Sequence, residues 1–330
     1  MHIIFIVCFL LPCFVIAQSK RVVGWYVTNS HTIDHVFPPE KIPWHIYTHI
    51  RTGLPYVYPN GTAICDKGDI VTPRVVELAH QHGVKVQWGL GANIHDLLWN
   101  PETADVWANY VNSIATASEE CSIDGIGVDY EWQDTTLGKI GIVLPKQSTK
   151  YTHFLADIKR ALGPNKIISA DISIWGVGAG NYLLGIEPWI NVSMLNRGEI
   201  DFVNTMSYHW NRNGNLWSWK KDIFFTGTVW GMDRRRVNIG IPYFSMNRTK
   251  DFRIYNEPTW RGLSPHCPNI DPTKNICNNV VFVGKKMNRE IGALIKREGF
   301  GGAFPWAANY DSIEFNNSLV HYLASGLEGH

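Results

Sequence analysis

Ser122-Ile123-Asp124-Gly125-Ile126-Gly127-Val128-Asp129-Tyr130-Glu131-Trp132 is the segment around which this chain is organised. Apolar residues carry it inward, and two carboxylates, Asp129 and Glu131, then appear two positions apart. On a β-strand that spacing puts both acids on one face. Neighbouring carboxylates repel and resist burial, so a purely structural strand has little reason to keep them. They belong at a strand end, either simply solvated or held together for chemistry. Asp124 has the opposite parity, which assigns it to anchoring backbone.

Seven further apolar runs flank this one. Arg21–Val27, Ile46–Ile50 and Val84–Leu90 precede it as strands one to three. Lys166–Ile172, Ile200–Tyr208, Val237–Tyr243 and Gly301–Trp306 follow as strands five to eight. Helical spacing separates most of them, over Thr72–His82, Pro101–Glu119, Thr149–Leu162, part of Trp217–Trp230, Lys285–Glu298 and Ser312–Ala324. Eight strands alternating with helices predict an α/β fold, a single (β/α)8 barrel. A doubly wound sheet also alternates, but Tyr26-Val27-Thr28-Asn29-Ser30 offers no glycine-rich phosphate turn after the first strand. In a (β/α)8 barrel the chemistry lies at the C-terminal strand ends. Glu131, Tyr208 and Trp306, which end strands four, six and eight, therefore converge on one mouth. The excursion from Phe244 to Gly284 after strand seven is short for an inserted domain.

Composition narrows the function classes. The 330 residues are 45% hydrophobic and 18% charged, which suits a chain with a large core. The formal net charge is +1 and the longest basic run is Arg234-Arg235-Arg236, so a nucleic-acid partner is not expected. Fourteen tryptophans make a sugar-stacking surface plausible, although most tryptophans are core. Residues 1–17 read as a signal peptide, with an apolar run from Ile3 to Ile16 and a small residue, Ala17, before Gln18. One catalytic domain is expected over 18–330, in a secreted, lysosomal or otherwise lumenal protein that neither spans nor binds a membrane. Cys65, Cys121, Cys267 and Cys277 remain after cleavage and allow three pairings. Cys267–Cys277 is the natural local bridge. By this strand reading Cys65 lies near the mouth and Cys121 at the opposite end, before strand four, so a bridge between them would be hard to span: either one is free or the local strand assignment is wrong. No cysteine and histidine spacing suggests zinc, and no metal or cofactor is expected. Sequons at Asn60, Asn191, Asn247 and Asn316 are compatible with surface glycosylation.

Asp124-Gly125-Ile126-Gly127-Val128-Asp129-Tyr130-Glu131 resembles the strand-four signature of glycoside hydrolase family 18, Asp-Gly-x-Asp-x-Asp-x-Glu, the family of chitinases and chitobiases. Met206-Ser207-Tyr208-His209 resembles its strand-six Met-x-Tyr-Asp. Val22–Tyr26, Gly89–Ala92, Gly240–Tyr243 and Gly301–Trp306 are similar to its other strand ends, in the right order. The resemblance implies retaining, substrate-assisted hydrolysis of β-1,4-N-acetylglucosaminide bonds, in which the sugar's acetamido oxygen attacks the anomeric carbon. Glu131 would protonate the leaving oxygen and then activate water. Asp129 would orient the acetamido N–H and offset positive charge, and Tyr208 would donate to the acetamido oxygen. Trp306 would floor the reacting sugar, with Tyr26, Met206 and His209 as further substrate contacts. Chitin, chito-oligosaccharides or N-glycan cores are the implied ligands, without a protein partner.

Two positions depart from the pattern. Gly127 stands where the family's middle aspartate would be, and a water is expected to fill the gap. If the missing carboxylate limits catalysis, Asp restored there should raise activity or shift its pH profile; no change would mean that the site has adapted around glycine. His209 replaces the aspartate after the strand-six tyrosine, and its positive charge below about pH 6.5 would lower a neighbouring carboxyl pKa. These departures favour the alternative, a chitinase-like lectin that binds without cleaving, whereas the presence of Glu131 favours the enzyme.

Overall fold

Each expected strand forms, and neighbours pair in parallel around a closed ring. In chain order they are β1 (Arg21–Tyr26), β2 (His49–Thr52), β3 (Lys85–Leu90), β4 (Gly125–Val128), β5 (Ile167–Ile172), β6 (Phe202–Thr205), β7 (Val237–Pro242) and β8 (Gly302–Trp306). β8 closes the barrel by pairing with β1. The structure is a computed structural model. It describes residues 20–28, 37–66, 71–91, 104–130, 145–172, 189–208, 216–244, 246–247, 259–267, 275–277 and 280–330.

The helices are α1 (Val71–Gln81), α2 (Ala104–Glu120), α3 (Pro145–Leu162), α4 (Val192–Arg197), α5 (Trp217–Phe224), α6 (Trp260–Leu263), α7 (Lys285–Arg297) and α8 (Leu319–Glu328). Their apolar faces pack on outward-facing strand residues such as Ile50, Ile126, Ile168, Val203 and Ile239, all fully buried. This shell between strands and helices is the hydrophobic core. The last helix starts later than its pattern suggests because Asp311 caps it from a distance. The Asp311 carboxylate accepts from the Leu319 and Val320 amides at 2.7 and 3.0 Å and from the Ser318 hydroxyl at 2.8 Å, which holds 312–318 outside the helix.

Among the described residues no large inserted domain is evident. Among the described residues, the excursion after β7 holds α6 and a small antiparallel sheet of Met246–Asn247, Val280–Val281 and Ile276–Cys277, with the expected Cys267–Cys277 bridge. The second bridge decides between the two alternatives: neither cysteine is free, and the local placement of Cys65 at the mouth is corrected. Cys65 and Cys121 are joined, with Cα atoms 5.5 Å apart. After β2 the chain makes a hairpin, Tyr56–Val57 with Ala63–Ile64, and runs along α2. The Asn109 amide donates to the Asn60 carbonyl, and the Ala63 amide donates to the Ser113 hydroxyl. This path carries Cys65 to the far end of α2, where Cys121 lies. Of the sequons, Asn191 is engaged internally: its carbonyl oxygen caps α4 at the Met194 amide, and its NH2 donates to Thr149. Asn60 and Asn316 are exposed.

Candidate active site at the barrel mouth

Strand parity sorts the inward side chains. β1 turns Arg21, Val23 and Trp25 inward, and β2 does the same with His49 and Arg51. β3 contributes Gln87 and Gly89 and β4 contributes Gly127, with Asp129 the next position of the same parity just beyond its end. Asp129 lines a hollow of about 190 Å3 at the C-terminal strand ends, together with Trp25, Val27, Thr28, Gly53, Leu54, Gly89 and Gly91. Larger hollows, of about 550 and 520 Å3, lie beside the Cys65–Cys121 bridge and among Arg21, His49 and Arg236 at the opposite end. The small one alone of these combines a carboxylate with a tryptophan at the end where barrel chemistry occurs.

Trp306, at the end of β8, is half-buried with its ring centroid 4.8 Å from that of Trp25, so the two indoles form one wall of the mouth. Met206 and Tyr208 continue the inward parity of β6 and are buried, with the Tyr208 ring edge-on to Phe244 at 5.8 Å. Tyr26 does not reach the mouth. Its parity turns it outward, where it is fully buried and its hydroxyl donates to the Phe37 carbonyl at 2.9 Å. Trp25 occupies the position that sequence reading gave to Tyr26. Glu131 and His209 lie outside the described residues.

Asp124 anchors backbone as its parity implied. Its carboxylate accepts from the Val86 amide at 2.8 Å, Lys85 Nζ at 2.9 Å and His80 Nε2 at 2.8 Å. Burial works against its charge, but these donors outweigh it and hold the carboxyl below its usual range.

Beneath the mouth lies a group the sequence reading missed. Arg51 is completely buried, with its guanidinium 4.9 Å from the Trp25 ring and 5.5 Å from the Phe304 ring. Nη1 donates to Asp171 Oδ2 at 2.5 Å and Nη2 to the Ser169 hydroxyl at 3.0 Å. Asn204 Nδ2 donates to the other Asp171 oxygen at 2.8 Å, Asn238 Nδ2 to Asn204 Oδ1 at 2.9 Å, and Arg21 Nε to Asn238 Oδ1 at 3.0 Å. A polar chain thus crosses the barrel from the mouth floor to its base. Two glycines in register, Gly89 and Gly127, make room for its upper end. A Cβ on Gly127 would lie 2.1 Å from Arg51 Nε, and one on Gly89 would lie 2.5 Å from the Trp25 ring. The space at 127 therefore holds a guanidinium where water was expected. The Tyr151 hydroxyl of α3 is within electrostatic reach of Asp171, Asp129 and Arg51, and burial first, then the carboxylates, raise it well above an ordinary tyrosine. The described residues contain no group of three or more histidine, cysteine or acidic side chains able to hold a metal ion.

With this geometry in place, the comparisons are consistent. The profile of Glycosyl hydrolases family 18 matches residues 21–311, and the chain belongs to that family. A chitinase from Bacteroides thetaiotaomicron is similar in structure, at 18% identity and a TM-score of 0.74, over 95% of this chain and 98% of that one. A Cycas revoluta chitinase solved with (GlcNAc)3 is 15% identical with a TM-score of 0.69, over 93% and 99%. YKL-39, solved in the presence of chito-oligosaccharides, is 14% identical with a TM-score of 0.68, over 94% and 100%. No curated protein sequence matches the chain. At these identities the structural likeness speaks for the barrel alone.

Proposed function

We propose that this protein is a retaining glycosidase that cleaves β-1,4-N-acetylglucosaminide bonds in chito-oligosaccharides or N-glycan cores, with the substrate's own acetamido group as nucleophile. The observation that carries this reading is Asp129 beside the Trp25–Trp306 wall at the mouth of a family 18 barrel. In this reading Trp306 floors the reacting sugar with its apolar face. Asp129 accepts the acetamido N–H and offsets the positive charge that develops as the ring closes. Tyr208 steadies the acetamido oxygen, and Glu131 moves the proton in both steps. Met206 and His209 are further substrate contacts. The excursion after β7 is short in sequence, and Leu54, Tyr56 and Tyr58 are exposed, features suited to short, soluble saccharides. Secretion or lumenal delivery is proposed on the N-terminal apolar run together with two disulfides.

A second reading, a lectin that binds the same saccharides without cleaving them, is favoured by the guanidinium beneath Gly127. Release of a reporter from an N,N′-diacetylchitobiose glycoside separates the two. The expected result is turnover by the native chain and none by Glu131→Gln, which still binds the oligosaccharide. Measurable binding without hydrolysis of any chito-oligosaccharide or N-glycan by the native chain would establish the lectin instead.

A further inference from the structure

We propose that Arg51 is a positioning residue for Asp129: a guanidinium locked beneath the mouth that keeps this carboxylate ionised through the reaction. Three observations carry it. First, Arg51 cannot move aside. Asp171 and Ser169 hold its two terminal nitrogens, and the Trp25 and Phe304 rings pack against it. Second, its Nε–H is buried without a hydrogen-bond partner and lies against Gly127, 2.1 Å from where a Cβ would be. An unsatisfied buried donor is costly, so this N–H, on a guanidinium whose other end Asp171 already pairs, favours a further acceptor or negative charge on the Gly127 side. Third, the next inward position toward the mouth is Asp129, two residues and roughly 6.6 Å further along the strand. Gly89 and Trp25, which Arg51 or its aromatic partner touches, line the same hollow as Asp129.

The charge balance follows. Asp171 from β5 is ion-paired with Arg51, Asp129 is the next inward residue above Gly127, and the buried Tyr151 hydroxyl from α3 is within electrostatic reach of all three. Arg51 with its two carboxylates carries a single net negative charge. Two carboxylates side by side reach that same balance only by sharing a proton, which raises one pKa and couples the titrations. With glycine at 127 and arginine below it, Asp129 shares no proton with residue 127. Glu131, two positions on along the same face, is the remaining acid beside it, and a cation on the Gly127 side favours the ionised form of Asp129 against that neighbour.

Although the catalytic meaning rests on the reading of Asp129 given above, the first test does not. In the full chain labelled with 13Cγ-aspartate, the Asp129 signal, assigned by its loss in Asp129→Asn, is followed by NMR from pH 7 downward. Its midpoint in the native chain is expected below the ordinary value of about 3.9. Arg51→Lys keeps the charge and should keep the low midpoint, whereas Arg51→Gln should raise it by about a unit or more. Asp171→Asn, which frees Arg51 from its competing anion, should lower it further. A native midpoint at or above about 3.9, or no response to Asp171→Asn, overturns the proposal even if Arg51→Gln fails to fold. The second readout is the pH profile of kcat/KM on the chitobiose reporter, whose acid limb should move up in Arg51→Gln and not in Arg51→Lys. If the native chain turns over no substrate, the glycosidase reading falls while the titration still judges Arg51.

Discussion

The barrel interior and the shell around it treat a buried carboxylate in opposite ways. Asp171 faces the interior and Asp222 lies on α5, on the outer side of the strands, and both are almost completely excluded from water. Burial raises the pKa of each. For Asp171 the Arg51 guanidinium and the Asn204 amide pull it back. For Asp222 only the Ser207 hydroxyl and the more distant Lys221 charge oppose burial, Oδ2 has no hydrogen-bond partner, and the carboxyl is pushed up to about 8. One site keeps its charge by building a cation against it, and the other keeps its proton. The interior can do so because Gly89 and Gly127 leave space at one height for an arginine, while the close-packed shell has none.

The strongest way to break this contrast is to remove the cation. Arg51→Leu strands Asp171 as an unpaired buried acid and should cost about 3–5 kcal/mol. Urea denaturation at pH 7 checks it, and a loss under about 1 kcal/mol would mean that Asp171 is not held as an ion. Asp222→Asn probes the opposite case and should act less strongly. The unfolded chain releases the Asp222 proton near pH 3.9, and the native chain holds it until about 8. Between these values the native state binds the extra proton, so this group makes stability fall as pH rises. Asn removes that slope, and at pH 8–9 the variant should be more stable than the native chain by on the order of 2 kcal/mol. Midpoints measured from pH 5 to 9 that stay parallel for the two proteins would contradict it.

Much of this was legible in the residues, and the exceptions share a cause. The eight strands, the parity of Asp129 and the anchoring by Asp124 follow from alternation and local apolar pattern, which are properties of neighbours in sequence. Tyr26 was named as a contact because it is aromatic and near a strand end, and only the parity set by Arg21 and Val23 tells that Trp25, not Tyr26, faces inward. The Cys65–Cys121 bridge depends on how a hairpin folds against α2, which no strand pattern contains. Arg51 was overlooked because the apolar run seemed to end at Ile50, whereas β2 runs through Thr52. Its partner Asp171 is 120 residues away. One signal did exist: glycines at the same level of adjacent strands, Gly89 and Gly127, imply that something large fills the barrel there.

That signal leads to the mildest and most specific change, Gly127→Asp. From sequence, a carboxylate restored here raises activity or shifts its pH profile only if the missing acid limits catalysis. In the structure the new Cβ falls 2.1 Å from Nε of a guanidinium pinned by Asp171 and Ser169, far inside van der Waals contact. A flexible side-chain end usually yields to such an intrusion cheaply, but Arg51 is enclosed by Trp25 and Phe304 and has nowhere to go. Overpacking of this kind costs about 1–3 kcal/mol, and the attraction between the new acid and Arg51 offsets only part of it. The single variant should therefore unfold at lower urea than the native chain and gain no activity. Adding Arg51→Lys, whose narrower ammonium keeps the charge and opens space, should recover part of the loss. If Gly127→Asp alone is as stable as the native chain, the guanidinium moves freely, and the interior tolerates a second carboxylate as readily as the glycine it has.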